Sequence, residues 1–262
     1  MEKLKALTAA AAALTCMIFV SFVAEAAAQS TQNTSGRGLA SMESAARAQR
    51  YLLVFFFKSD DPQTRALRDV FNRAAGRVSN RADAIAVMTT DPAEQGIVTK
   101  FKLDAAPMPI VLAIAPNGAL TGGFHTSFTE DQLIGALVGP VEAQVLGSLQ
   151  QGKLVVLCAQ NGKTRFNNEA MQGVTAFKAD QRFSAATEVV TLDPAQADAQ
   201  PLLTKLGAGL PLNQAATFLL APPGSVIGQF QGPVDKNQLV AALTSAVSGC
   251  GAGCGAGGCS VQ

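Results

Sequence analysis

The sequence is poor in the residue types that most often carry catalysis or bind metals. It has one histidine, His125, among 262 residues, so a histidine-built metal site or a Cys-His pair has little support, and we expect a surface or edge histidine. No Gly-x-Gly-x-x-Gly motif follows any apolar run, which argues against a doubly wound nucleotide-binding fold. Its 20 basic and 19 acidic residues leave a net charge of +1, which offers no electrostatic attraction for nucleic acid or an anionic membrane surface.

The first 28 residues have the organisation of a secretory signal peptide. Lys3 and Lys5 precede an apolar stretch over residues 6–24, and small-residue cleavage sites follow at Ala26 and Ala28. An uncleaved anchor is the alternative, because a stretch of this length can just span a bilayer. The small residues favour cleavage near Ala26 or Ala28, so we predict a periplasmic or secreted protein in an oxidising compartment, with no further membrane contact.

After a leader over residues 29–40, whose polar composition predicts disorder, an apolar run followed by a capped helix organises the chain. Residues 51–57 predict a buried strand, and Asp61-Pro62 predicts the start of a helix that ends near Gly76. A second strand over residues 84–89, a helix opened by Asp91-Pro92, a hairpin turning at Asn117-Gly118 and a last helix complete this unit.

The second half repeats these landmarks in the same order. Asp193 follows Asp91 by 102 residues, and Gly224 follows Gly118 by 106 residues. Matched landmarks with one apparent four-residue insertion favour an internal duplication. We therefore predict a signal peptide (1–28), a disordered leader (29–40), a first domain (41–138), a helical connection (139–152), a second domain (153–247) and a flexible Gly/Cys-rich tail (248–262).

The order of elements in each copy requires an α/β fold with a mixed central sheet and helices on both faces. In the Leu52–Lys58 strand, the Asp61–Thr64 turn, Met108-Pro109 before a strand and the Asn-Gly hairpin, the chain resembles the thioredoxin-like superfamily. The resemblance implies two tandem thioredoxin-like domains, with Pro109 where the family keeps a cis-proline beside its active site.

The resemblance also implies where a dithiol would lie, and neither copy has one. It assigns Asp61 and Thr64 to the two cysteine positions of the first copy, and Asn161 and Thr164 to those of the second. Oxygen-bearing side chains cannot carry out thiol-disulfide exchange. We therefore expect no catalytic residue at either turn and interpret Asp61 as a helix N-cap.

The resemblance implies that the first domain has a peptide-binding groove. We expect this groove to be lined by Asp60, Met108 and Pro109. In the second domain Pro211 lies farther before its strand than Pro109 does, so we expect such a groove less there.

The cysteines lie away from both turns. Cys158 ends an apolar strand, where a small core residue is the simplest interpretation. Cys250, Cys254 and Cys259 lie in the Gly/Ala-rich tail and lack the Cys-x2-Cys spacing of a structural zinc site. Four interpretations stay open for the tail: a disulfide loop with one thiol left over, a disulfide to another chain, a soft metal ion such as Cu(I), or a mobile redox arm.

Three functional hypotheses follow. The leading one is a secreted or periplasmic binding or scaffold protein that has lost its dithiol centres, has a protein partner in the envelope or outside the cell, and needs no cofactor. The second is a thiol-disulfide redox protein that uses the tail cysteines. The third is soft-metal binding through the same thiols. The missing dithiols argue against an enzyme, but a fold alone does not determine a function.

Overall fold

The computed structural model describes residues 36–251 and contains two lobes joined by a helix. The first lobe consists of α1 (Arg37–Arg47), β1 (Tyr51–Phe57), α2 (Pro62–Arg77), β2 (Ala82–Met88), a 3-10 turn (Pro92–Glu94), α3 (Gln95–Lys100), β3 (Ile110–Ile114), β4 (Leu120–His125) and α4 (Glu130–Gly135). After α5 (Pro140–Gln150), the second lobe consists of β5 (Leu154–Ala159), α6 (Asn167–Lys178), β6 (Thr187–Leu192), α7 (Ala199–Lys205), β7 (Ala216–Ala221), β8 (Ser225–Gln231) and α8 (Lys236–Gly251). Among these described residues, no helix is long and apolar enough to cross a membrane.

The two sheets have the same mixed topology. Their strand orders are β2-β1-β3-β4 and β6-β5-β7-β8. In each sheet the first two strands along the chain pair in parallel, and the two remaining pairs are antiparallel. The predicted α/β fold, with a mixed sheet in each copy and helices on both faces, is therefore confirmed.

The strand β1 is buried at all seven positions because helices cover both faces of its sheet. Leu53 and Phe55 belong to the core beneath α2 and α4. Val54 and Phe56 belong to the core beneath α1 and α3. Burying one such side chain contributes about 1.5–3 kcal/mol, so a continuous apolar run is what this position in the sheet requires.

The helix α5 is the counterpart of α1 and not merely a connection over residues 139–152. Both helices have 11 residues, and each is followed by a residue with positive φ, Gln49 at 53° and Gly152 at 78°. Ala143 of α5 packs in the core of the first lobe, whereas Val145 and Leu149 pack in the core of the second. This helix is thus the first element of the second copy and contributes to both cores.

The leader is shorter than predicted because α1 already begins at Arg37. The carboxylate of Glu94, which is 6% exposed, accepts a hydrogen bond of 2.9 Å from the backbone N–H of Gly38. The backbone before α1 lies so close to the 3-10 turn that a Cβ on Gly36 would lie 2.1 Å from the carbonyl oxygen of Ala93. A cap from a distant residue therefore orders residues 37–40.

Two other boundaries differ from the prediction. The helix α8 continues to Gly251, into the segment predicted as a flexible tail. Asp193 opens a turn by accepting a hydrogen bond from Ala195 N–H (2.9 Å), and α7 begins only at Ala199. The predicted signal peptide, residues 29–35 of the leader and residues 252–262 of the tail lie outside the described residues.

Candidate functional site

The first strand-helix turn, residues 58–61, ends in the helix cap that the sequence predicts. Asp61 Oδ1 accepts a 2.8 Å hydrogen bond from Thr64 N–H, and Ser59 Oγ donates to Asp61 Oδ2 over 2.8 Å. The Thr64 N–H, followed by the Ser59 hydroxyl, lowers the pKa of Asp61. The exposed carboxylate thus stays ionised at the N-terminus of α2, where a negative charge is favourable.

Two arginines of α2 neutralise the neighbouring Asp60. Arg68 Nη1 lies 3.1 Å from Asp60 Oδ1, and Arg65 donates to the carbonyl oxygen of Asp60. The guanidinium of Arg68 also stacks over the ring of Phe57, with its central carbon 4.4 Å from the ring centroid. The prediction missed Arg68, although its position four residues after the buried Thr64 indicates that it lies on the inner face of α2.

Pro109 lies at the same edge of the sheet as the first strand-helix turn. Ile110 pairs with Phe56, so Pro109 comes beside Phe57 at the carboxyl end of β1. The peptide bond between Met108 and Pro109 is cis, as the resemblance implies. The half-buried Met108 packs with Ile110 in the core beneath α1 and α3. The structure therefore brings Pro109 and the first turn to one edge, while the Met108 side chain belongs to the other face of the sheet.

His125 ends β4 at this same edge, opposite Ile110. It is exposed, and its Nδ1 lies 3.4 Å from the hydroxyl oxygen of Thr126. This neighbour, and not Asp60 or Asp61, is its hydrogen-bond partner. The interpretation of His125 as a surface or edge histidine agrees with this placement.

The second strand-helix turn, residues 160–166, is closed by its own side chains. Asn161 Nδ2 donates to Asp193 Oδ1 over 2.7 Å. The buried Thr164 hydroxyl lies 2.7 Å from Asn167 Oδ1 and accepts a hydrogen bond from Asn161 N–H at 2.8 Å. The Ala195 N–H and then the Asn161 amide lower the pKa of Asp193. These side chains bond to one another, whereas the buried Oε1 of Gln160 has no hydrogen-bond partner among the described residues.

Asn161 and Thr164 both precede α6, whereas Thr64 lies in the first turn of α2, and their match to a dithiol position stays a prediction. The helix α6 begins at Asn167 after Phe166, which has φ of 64°, so Thr164 precedes the helix and does not lie in its first turn. The cause is an additional bridge, in which Arg165 N–H donates to Asn213 O (3.2 Å) and Ala215 N–H donates to Arg165 O (2.9 Å). The extended turn fills the space before β7, so the first and second turns are not equivalent. The Leu210–Pro211 bond is also cis.

Cys158 is buried in β5 and faces the core beneath α6 and α8. Burial raises the pKa of its thiol to about 12. Since the thiolate is the reactive species, this residue is an inert core side chain, as predicted.

The tail cysteines belong to a part of the chain of which little is described. Cys250 lies within α8, whereas Cys254 and Cys259 lie outside the described residues. Within residues 36–251, no group of three or more His, Cys, Asp or Glu side chains could hold a metal ion. The disulfide, redox and soft-metal hypotheses for the tail stay predictions.

The topology of the two sheets decides the kind of fold. In each lobe, a parallel pair of strands joined by a helix is followed by an antiparallel hairpin and a closing helix. Each lobe has a thioredoxin-like fold. The first thioredoxin-like lobe has an exposed strand-helix turn, and the second has a closed one.

Solved structures of thioredoxin domains are similar to this chain. The first two thioredoxin domains of Saccharomyces cerevisiae Eps1p are 10% identical, with 77% of this chain and 94% of that chain covered and a TM-score of 0.30. The AhpF NTD_N/C domain of Enterococcus faecalis is 15% identical, with 79% of this chain and 98% of that chain covered and a TM-score of 0.28. Thioredoxin O2 of Arabidopsis thaliana is 12% identical, with 38% of this chain and 84% of that chain covered and a TM-score of 0.31. Neither a protein-family model nor a curated protein sequence matches the chain.

Proposed function

We propose that this protein is a non-catalytic thioredoxin-like binding or scaffold protein of the periplasm or the extracellular space, and that it holds a protein partner at the first strand-helix turn. One observation supports the proposal: the first turn carries Asp61 and Thr64, and no cysteine, at the positions that the resemblance assigns to the thiols. Residues 58–64 contain no cysteine, and Cys158, the cysteine nearest to the second turn, is buried with a raised thiol pKa.

The exposure of the first turn supports binding at this place. Residues 58–63 are exposed, while Thr64 and Pro109 are buried. The Asp60 carboxylate is paired with Arg65 and Arg68 at the capped N-terminus of α2. A turn held by these bonds favours partner binding, because little conformational entropy of the turn is lost.

The closed second turn supports a division of roles between the lobes. The Asn161 amide already bonds to Asp193 and the Thr164 hydroxyl to Asn167, and a backbone bridge joins Arg165 to Gln214. A partner would have to break these bonds to reach the backbone. We therefore propose that the second lobe supports the first and does not use its own turn for binding.

Photo-crosslinking from matched positions tests the proposal. Gln63 and Asn168 are each the second residue of their helix, in α2 and α6, and both are exposed. A photoreactive amino acid at Gln63, in protein produced with its own signal segment in its native host, is expected to give one discrete protein adduct. The same amino acid at Asn168 is expected to give none. Asp60→Arg combined with the Gln63 probe should reduce the adduct severalfold.

Two outcomes would contradict this proposal. Identical adducts from Gln63 and Asn168 would show that proximity, and not the first turn, determines the crosslink. No adduct from Gln63 in any envelope or secreted fraction would remove the first turn as a binding site.

A further inference from the structure

A cavity of about 750 Å³ lies at the end of the first lobe opposite the first strand-helix turn. Tyr51, the first residue of β1, forms part of its wall, whereas the turn follows Phe57 at the other end of that strand. At about 3.3 Å per residue, the strand separates the two places by roughly 20 Å. The volume lies within the range of about 300–1,000 Å³ that is typical of small-molecule sites.

The two charged side chains that line the cavity are both arginines. Arg81 donates from Nη2 to the carbonyl oxygen of Leu137 over 2.9 Å, and this is the one hydrogen bond of its guanidinium to another residue within 36–251. Arg50, which also lines the cavity, is held by Asp83 over 2.8 Å. No Asp or Glu lines the cavity. The exposed Arg81 therefore keeps donors for an anionic ligand.

Another part of the lining is apolar. It is formed by Pro116 of the hairpin turn, Val138, and Pro140 and Ala143 of α5. Tyr51 is 8% exposed, and its hydroxyl donates to the carbonyl oxygen of Val138 over 2.7 Å, which fixes the ring beside these residues. A ligand for this cavity would combine an apolar body with an acceptor group.

We propose that this cavity is a binding site for small organic carboxylates with an aliphatic or alicyclic body. The planar guanidinium of Arg81 offers parallel N–H donors that match the two oxygens of a carboxylate. The apolar residues of the lining cover the body of the ligand and exclude water from it. Nothing in this arrangement involves the first strand-helix turn, so the site is independent of partner binding there.

The amino-acid composition supplies a direct assay. Tyr51 is the only tyrosine, and the chain has no tryptophan, so tyrosine fluorescence reports on the cavity alone. Cyclohexanecarboxylate is the probe, since it does not absorb where tyrosine is excited, and cyclohexanecarboxamide is its uncharged counterpart. We expect a saturable fluorescence change with the carboxylate and an affinity at least about tenfold lower for the amide, because charge-assisted hydrogen bonds are the stronger ones.

Three variants complete the test. Arg81→Gln should weaken carboxylate binding about tenfold or more. Gln144→Phe, which fills the cavity from an exposed position on α5, should abolish it without touching Arg81. Arg47→Gln is the control, since this exposed arginine of α1 lies outside the cavity wall, and should leave binding unchanged. Equal binding of carboxylate and amide, no saturable change with the carboxylate, or unaltered affinity in both cavity variants would overturn the proposal.

Discussion

Cys158 provides a quantitative test of the statement that the thiol within the folded lobes is inert. Burial raises the pKa of the thiol from 9.0 to about 12. At about pH 8 a thiol with the lower value is roughly 10% ionised, whereas one with the higher value is roughly 0.01% ionised. The thiolate, which is the species that reacts, is therefore about a thousandfold rarer in the folded protein.

The experiment uses a chain that starts at Gln29 and carries serine in place of Cys250, Cys254 and Cys259, so that Cys158 is the only cysteine. Alkylation by iodoacetamide at pH 8 is followed by mass spectrometry in native buffer and in urea. We expect the native rate to be about a thousandfold lower than the rate in urea, because burial withholds the thiolate. A native rate within tenfold of the unfolded one would refute the reasoning and would make Cys158 a candidate redox residue.

Three other predictions concern packing, charge and the strand-helix turns. A Cβ on Gly173 of α6 would lie 1.9 Å from the carbonyl oxygen of Val234, so Gly173→Ala should lower the free energy of unfolding by about 1–3 kcal/mol. Gly76→Ala in α2, where the space is open, should raise the free energy of unfolding by about 0.5–1 kcal/mol. Equal changes for the two variants in urea denaturation would contradict the close contact between Gly173 and Val234. Hydrogen bonds from Arg182 and then Lys236 lower the pKa of Asp180 below its usual 3.8. The ionised Asp180 therefore stabilises the folded protein above about pH 4, and this stabilisation is lost as the pH falls through the lowered pKa. The stability difference between the protein and Asp180→Asn should therefore shrink below about pH 4, and a difference independent of pH would contradict the pairing. Asp61→Cys combined with Thr64→Cys should create measurable insulin reduction, because these positions lie at the N-terminus of α2. Asn161→Cys combined with Thr164→Cys in the second turn should create none. Insulin reduction by both double variants would contradict the difference between the turns.

Signals between neighbouring residues were sufficient to predict much of the fold. Asp61 caps α2 through a bond to Thr64, three residues away, so the helix start could be predicted from the sequence. The hairpin turns where the Asn-Gly pair predicts it, because Gly118 adopts φ of 83°. The duplicated order of such signals was enough to predict two copies of one topology.

Contacts between distant residues explain where the predictions differ from the structure. The cap on Gly38 comes from Glu94, and no local pattern indicates it. The bridge between Arg165 and Gln214 precedes α6, which begins at Asn167, and residue spacing along the chain does not indicate this bridge. The cavity at Tyr51 has walls from several chain segments and could not be found in any one of them.

The helix α5 has a consequence for how the protein unfolds. Ala143 of this helix belongs to the first core, and Val145 and Leu149 belong to the second. Unfolding of either lobe would therefore expose apolar side chains of the other lobe to water. The ion pair of 2.8 Å between Glu142 of this helix and Lys205 of α7 adds to the connection. We expect calorimetry to record a single cooperative transition, with the tandem halves behaving as one thermodynamic unit.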